Sequence, residues 1–258
     1  MERLLQRSEK MIAAPYSVLA QIYDFVMSHV NYASWANYIT QIAGKHGNHV
    51  TRIWDIACGT GTLCFKLAEK GFFVAGSDIS LDMIKIARDK SVRAESSVPF
   101  WCADMRRSAV SFQADMIVSL YDSMNYLMSS DDWARCLSNV HAMLKPKGVF
   151  VFDVSTVYNS QRYFRRYVQR ERGSGIVYSR KSEFDSKRMI QQNRFEIRLE
   201  SHPNVVFYEV HEQRIRHLQD ILQMVAKSRL ALDGCYHGFT FTQGTEKSER
   251  VHFVLKKK

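Results

Sequence analysis

No apolar run in this 258-residue chain approaches the roughly 20 residues that a membrane-spanning helix needs, so a membrane partner is not expected. The opening stretch from Met1 to Met11 is polar and charged. It has none of the apolar core of a secretory leader, so secretion is not expected and the cytoplasm is the expected compartment. The five cysteines, at 58, 64, 102, 136 and 235, are odd in number and include no Cys-x-x-Cys pair. They read as reduced thiols, which argues against a disulfide framework and a zinc site, and no metal is expected. Internal repeats and low-complexity tracts are absent too. What remains is a chain with 46% hydrophobic residues, too apolar to be disordered and of a length that fits one domain with a sizeable insertion.

The formal net charge of +10 is unevenly spread. Residues 1–154 carry 16 Lys/Arg against 15 Asp/Glu, and residues 155–258 carry 20 against 11. A basic part of this kind can attract nucleic acid or an anionic substrate. Basic residues that alternate with apolar ones in strands ordinarily face water, and that reading is preferred.

Apolar spacing over residues 15–43 predicts two amphipathic helices with a break near Val30-Asn31, followed by a Gly44 to His49 loop. Strands and helices then alternate. Strands are expected over 50–56, 72–77, 98–102, 115–120 and 149–154. Helices are expected over 62–70, 80–90 and 131–144, with Ser80 as an N-cap. This alternation, with strands that are almost wholly apolar, predicts a parallel sheet flanked by helices. After Ser155 the pattern changes. Tyr158 to Arg172 reads as a helix carrying an arginine cluster (Arg162, Arg165, Arg166, Arg170, Arg172). Three strand-like runs (176–185, 188–200, 204–216) then form an antiparallel meander. A helix over 217–228 and two closing strands, 230–241 and 249–256, complete the chain.

The chemistry lies in Asp55-Ile-Ala-Cys-Gly59-Thr-Gly61-Thr. A strand that ends in Gly-x-Gly and opens a helix lets a ligand approach the backbone and directs free N–H groups at it. Asp78 ends the next strand, where a carboxylate can accept both hydroxyls of a ribose. Together, across strand, turn, helix and strand, these residues predict an adenosine-type cofactor. Cys64 stands where a nicotinamide-binding fingerprint has its third glycine, and no Gly-Lys-Ser/Thr follows to make a P-loop. Asp55 beneath the turn suits a ligand bearing an ammonium or sulfonium better than one bearing a pyrophosphate.

On these residues the chain resembles the class I S-adenosylmethionine-dependent methyltransferases, in the branch that acts on small molecules. Asp55 to Gly61 is similar to their first motif, Gly76-Ser-Asp78-Ile-Ser80-x-Asp82-Met83 to the second, and Ala103-Asp104-Met105 to the third. Asp115 to Leu127 is similar to the fourth strand and its substrate-facing loop. One departure is Ala57 in place of the usual first glycine, a change that a negative φ tolerates. The fold implied is α/β: a Rossmann-like, seven-stranded, mostly parallel sheet with flanking helices, plus an antiparallel β insert after the fifth strand. The insert resembles that of the glycine and sugar-amine N-methyltransferases. The implied organisation is a helical lid over 1–48, a cofactor domain over 49–156 and 217–258, and an insert over 157–216 forming part of the substrate cap.

The resemblance also implies roles. S-Adenosyl-L-methionine is the cofactor. Asp55 and the backbone around Ala57, Cys58, Gly59, Thr60 and Gly61 hold its methionine part, and Asp78 holds the ribose. Ile79 and Met83 pack on the adenine, whose amino edge is read by Asp104 and the Met105 amide. The Leu120 carbonyl faces the ammonium, and Tyr16 and Tyr23 close over the carboxylate or the methyl group. Candidates on the acceptor side are Tyr121, Asp122, Asn125, Tyr126, His211 and His237. Tyr23, Asp122, Asn125 and His211 are the catalytic expectations, with Asp122 or Asn125 preferred for orienting a small-molecule substrate, an anionic one included. The segment Tyr121-Asp-Ser-Met-Asn125 lacks the Asn/Asp-Pro-Pro-Tyr/Phe of enzymes that methylate exocyclic amines of nucleic acid. An RNA or protein methyltransferase using the basic part, and a cofactor-binding protein without turnover, are the alternatives; nucleic acid is not favoured.

Overall fold

The structure, a computed structural model, describes residues 9–47, 49–107, 112–173 and 175–258. Residues 1–8 of the expected lid and residue 48 of the expected loop lie outside these.

The expected parallel sheet is present. It contains β2 (Arg52–Asp55), β3 (Phe73–Asp78), β4 (Phe100–Cys102), β5 (Ala114–Ser119), β6 (Leu144–Ser155), β11 (Leu230–His237) and β12 (Arg250–Lys257). Their order is β11-β12-β6-β5-β2-β3-β4, with β12 running antiparallel to both neighbours and the other pairs parallel. Val149, Phe150, Val151 and Phe152 of β6 have no exposed surface, as expected of a strand covered on both faces. Each such side chain contributes about 1.5–3 kcal/mol through burial. The layers on the two faces are α2 (Tyr32–His46) with α3 (Thr62–Ala68) and α4 (Leu81–Arg93), and α5 (Ser130–Met143) with α7 (Leu218–Ala226). Ser80 caps α4 through the Met83 N–H, as its position before an apolar-periodic run predicts. Strand order reverses between β2 and β5. Ligands of open α/β sheets bind at such a point, beyond the carboxyl ends of the strands.

The second sheet has the order β1-β10-β9-β8-β7, built from β1 (Glu9–Ile12), β7 (Arg166–Gly173), β8 (Ile176–Asp185), β9 (Ile190–Leu199) and β10 (Val205–Arg214). The meander β8-β9-β10 matches expectation, but two elements differ. Residues 9–12 form a strand parallel to β10 that no local pattern announces, because its pairing is made with residues some 195 positions away. The expected helix Tyr158 to Arg172 is split into α6 (Val157–Tyr163) and β7. From Arg166 onward exposure alternates with a period of two and all eight residues pair with β8. Cross-strand pairing overrides the helical reading there. Arg166, Arg170 and Arg172 therefore point to water from one strand face, while Tyr167, Gln169 and Glu171 point inward. The expected Gly44 to His49 loop is also shortened, since α2 continues to His46 and its imidazole lies between Asp233 and Tyr236.

Helix α1 (Leu19–Val26) has no cap of its own, because Val18 at its N-cap offers no oxygen. Glu209 of β10 supplies one from across the molecule. Its Oε1 accepts from the N–H groups of Val18 (2.7 Å) and Leu19 (2.8 Å), and its Oε2 from Tyr16 N–H (2.8 Å). Glu209 is fully buried. Burial works to raise its carboxyl, yet the bond from His211 and these backbone donors hold it below the usual range. We expect Glu209→Ala to destabilise the protein by about 3 kcal/mol, because three buried N–H groups lose their acceptor. A denaturant midpoint unchanged from wild type would contradict this.

Candidate functional site

Two strand tips meet at the switch point. After β2 the chain turns through Gly59 (φ 53°) and Gly61 (φ 77°), left-handed conformations that only glycine adopts without strain. Gly61 has a second constraint: a Cβ there would lie 2.7 Å from the Phe100 ring. Ala57 is not among the residues with positive φ, so its methyl is tolerated. Asp78, at the end of β3, accepts the Gly59 N–H on Oδ2 (2.9 Å) and the Ser80 N–H on Oδ1 (2.9 Å). Each carboxylate oxygen keeps lone-pair capacity for a further donor.

Beyond these tips lies a cavity of about 600 Å³, bordered by Ala57, Gly59, Asp78, Ile79, Asp104 and Met105. Beside it is a smaller cavity of about 140 Å³, reached by Asp55, Cys58, Thr60, Leu120 and Asp122. Tyr16, Tyr23, Tyr126 and His211 border both. Most of the expected cofactor residues therefore border one or both of these adjoining cavities. Gly61 and Met83 do not line it: Gly61 makes room for Phe100, and Met83 is buried in the helix layer. The Asp104 carboxylate is held by Arg106, at 3.0 Å to Nε and 2.7 Å to Nη2, and this lowers its pKa below the usual range. The Leu120 carbonyl accepts the Ser123 hydroxyl at 2.8 Å.

Asp55 is buried, and burial lifts its carboxyl to about 7; the Ala57 N–H opposes this and Asp78 adds to it. Burial raises Asp78 as well, against the Ser80 and Gly59 N–H groups. The site thus presents two carboxylates at low solvation, a setting that favours a cationic ligand.

Of the expected catalytic residues, Tyr23, Asp122 and His211 reach the cavities. Asn125 does not. Its amide donates to the carbonyls of Ser155 (3.3 Å) and Arg214 (3.2 Å) and accepts the Ser155 N–H (3.1 Å), which makes it a buried strut between the 3₁₀ turn Ser123–Tyr126, β6 and β10. His237 sits exposed at the end of β11, outside either cavity. Asp122 is tethered rather than free: Gln213 donates to it at 2.5 Å and Arg250 at 2.9 Å. Tyr121 and Asp122 are both left-handed (φ 60° and 55°), a strained pair fixed by the Asp122 N–H bond to buried Asp153 (2.9 Å) and the contact of Asp153 with Arg250. His211 bonds Glu209 through Nε2 (3.1 Å), and its Nδ1 lies 3.4 Å from the Tyr126 hydroxyl, which is 2.6 Å from that of Tyr16.

Sequence reasoning missed Glu209, Gln213, Asn193, Arg180 and Arg250, all in strands. For the first four the only signal was polar residues at alternate positions of an otherwise apolar-alternating meander, and sequence does not say which face turns inward; Arg250, at the start of β12, had no such signal. It missed Asp24 as well, whose carboxylate takes the Thr60 hydroxyl (2.6 Å) and Lys90 (2.8 Å) and so ties α1 to the glycine turn.

The raised Asp55 carboxyl has a stability consequence. In the window from about pH 4 to 7 the folded state holds a proton that the unfolded chain has released. Stability therefore falls as pH rises through that window, by an upper bound of roughly 4 kcal/mol. Asp55→Asn should flatten this component, so the difference between variant and wild-type urea midpoints is expected to widen from pH 5 to pH 8. Parallel curves would refute the assignment.

Residues 53–148 match a family model described as a methyltransferase domain. The chain is 30% identical over 246 residues to a Bacillus subtilis protein named methyltransferase YqeM, covering 94% of this chain and 97% of that protein. In structure it resembles an S-adenosylmethionine-dependent methyltransferase from Clostridium acetobutylicum, with TM-score 0.81, 23% identity and coverage of 94% and 98% of the two chains. It also resembles the sugar N-methyltransferase KedS8 from Streptoalloteichus, with TM-score 0.74, 19% identity and coverage of 92% of each chain. Full-length likeness to a methyltransferase, with glycine turn and aspartate meeting at the switch point, settles the identity: the chain belongs to the class I S-adenosylmethionine-dependent methyltransferases.

Proposed function

We propose that the enzyme methylates a small molecule enclosed between the cofactor-binding strand tips and a cap made of residues 9–47 and 157–216. The observation that supports this most is the enclosure itself. The space beside Asp55 and Tyr23 is about 140 Å³ and is walled by α1, the meander and the loop after β5. A duplex or a folded protein cannot enter such a space, whereas a small acceptor can. The arginines of β7 face away from it, which removes the main support for a nucleic-acid partner. The name of KedS8 as a sugar N-methyltransferase agrees with a small acceptor.

The residues fit the cofactor. Asp78 has free acceptor capacity beside a 600 Å³ cavity, and two poorly solvated carboxylates suit a cationic amino acid. Gly59 leaves open space, since a Cβ there would meet nothing nearer than a Tyr23 ring carbon at 3.7 Å. In the proposed arrangement Asp78 takes the ribose hydroxyls, Ile79 and Met105 flank the adenine, and Asp55 with the Ala57 to Thr60 backbone takes the methionine end. Met83, buried in α4, does not border this cavity and is not assigned to the adenine. The cofactor brings a methyl group already activated by a positive sulfur. The protein's share is alignment and exclusion of water. Tyr16 and Tyr23 close the space between the two cavities. The series Tyr16, Tyr126, His211, Glu209 gives an acceptor's proton a hydrogen-bonded route away from the site, with His211 as the basic member. Asp122, locked by Gln213 and Arg250, positions the acceptor.

S-Adenosylhomocysteine titrated into the protein tests the reading. We expect a single site, with Asp78→Ala weakening it by about 2–4 kcal/mol because buried hydroxyls lose their acceptor. Transfer of labelled methyl from S-adenosylmethionine should appear in the low-molecular-weight fraction of a cell extract and not in its RNA or protein. Label confined to RNA or protein would overturn the small-molecule reading, and unchanged affinity in Asp78→Ala would overturn the ribose assignment.

A further inference from the structure

Adjoining the inner cavity is an outer vestibule of about 770 Å³ between β7, β8, α6 and the loop after β5. Tyr121, Asp122 and Arg180 border both spaces. We propose that Arg180, at this junction, binds an oxyanion of the methyl acceptor, a carboxylate or a phosphate; the proposal rests on the small-molecule reading above.

Three observations carry it. The first is charge. Two arginines line the vestibule. Arg250 is committed, because Asp122 and Asp153 both bond it. Among the described residues no carboxylate lies within ion-pair distance of Arg180. The acidic groups of the vestibule are likewise engaged: Glu171 accepts from Gln169 and Glu249 from Tyr163. A half-buried cation without a counter-charge, facing a cavity, is a ready acceptor of an anion.

The second is donor geometry. A guanidinium has five N–H donors. Arg180 uses Nε toward Ser182 Oγ (3.1 Å) and Asn193 Oδ1 (3.2 Å), and Nη2 toward Asn193 Oδ1 (2.9 Å). Both hydrogens on Nη1 and one on Nη2 have no protein acceptor among the described residues. That leaves a forked edge of the kind that pairs with a carboxylate or phosphate. The group is also pre-positioned: its carbon lies 5.3 Å from the Phe164 ring centroid, 5.9 Å from Tyr167 and 5.8 Å from Phe195.

The third is the surrounding surface. Ser182, Asn193 and His211 stand in one cross-strand row, and Gln191 and Gln213 in the next, all buried. The inner face of a sheet packed on a core is ordinarily apolar. Here the part of that face next to the cavity is polar, and the part packed on α1 (Tyr178, Ile197, Phe207) is apolar. Tyr23, Tyr32 and Tyr121 add phenols that have no hydrogen-bond partner among the described residues and line the same inner cavity. The site is built to pair with polar atoms that the protein itself does not supply.

The test uses the full chain saturated with S-adenosylhomocysteine, titrated with two matched pairs of probes: β-alanine against its amide, and 2-aminoethyl phosphate against ethanolamine. In wild type one acid is expected to bind about tenfold tighter than its counterpart, which keeps the ammonium and lacks the oxyanion, with the preference shrinking at high salt. Which pair shows it identifies carboxylate or phosphate. Arg180→Met and Arg180→Gln should both lose the preference while S-adenosylhomocysteine affinity stays at the wild-type value, and Arg180→Lys should keep part of it. No preference in wild type, or a preference that survives in either charge-removing variant, overturns the proposal. Failure of wild type to bind S-adenosylhomocysteine at all would instead bring down the underlying functional reading, and this proposal with it.

Discussion

A buried carboxylate holds the molecule's parts in one arrangement. Glu209 sits on β10 of the second sheet, between β1 and β9, yet its oxygens serve the first turn of α1 and the Tyr16 N–H. An ionised carboxylate without exposure is costly unless its lone pairs are filled, and here backbone donors and His211 fill them. That requirement makes the insert and the N-terminal segment a single object. It also fixes Tyr16, whose left-handed backbone is held on one side by Glu209 and on the other by the Ser80 hydroxyl bond to its carbonyl. Ser80 at the same time caps α4, so one hydroxyl links the cap to the strand tip that carries Asp78. The aromatic wall between the two cavities is therefore anchored to both sheets.

The electrostatics of the cleft follow from how few charges it pairs. Asp55 is buried and Asp78 partly buried, with backbone N–H groups as their partners, and desolvation raises both. Asp122 and Asp153 share Arg250; burial opposes its charge, and the two carboxylates outweigh burial and hold its pKa above the usual range. Toward the cofactor side the site is thus short of positive charge, and toward the vestibule Arg180 stands without a negative partner. A ligand pair with a cationic end at the strand tips and an anionic end at the junction would complement both deficits. This polarity also orders the two ligands, since neither would gain by taking the other's place.

The layout of the main sheet was legible because its causes are local. Near-continuous apolar strands, a glycine turn and an N-cap serine each act within a few residues, and Asp55, Gly59 and Asp78 could be read from that pattern. The second sheet was legible only in outline. Whether Arg166 to Gly173 becomes helix or strand depends on β8, and whether residues 9–12 form a strand depends on β10. Asn125 illustrates the limit within the site. It stands beside Asp122 in the right loop, but a turn of 3₁₀ helix (Ser123–Tyr126) directs its amide into the backbone of β6 and β10. Arg180 shows the reverse error, since one arginine in a basic strand looks like any other until its face is known.

The strained pair Tyr121-Asp122 joins these features. Two consecutive left-handed residues without glycine each cost of order 1–3 kcal/mol, and the loop after β5 adopts them because Asp153, Arg250 and Gln213 over-determine the Asp122 position. The result places Tyr121 and Asp122 on the boundary between inner cavity and vestibule, beside the space proposed for the acceptor. A relaxed loop would leave that boundary mobile. In a displacement that needs nucleophile, carbon and sulfur in line, small misplacement is expensive. Strain held by a buried ion cluster is thus a plain physical means of keeping the acceptor's approach fixed while the chemistry itself is left to the cofactor.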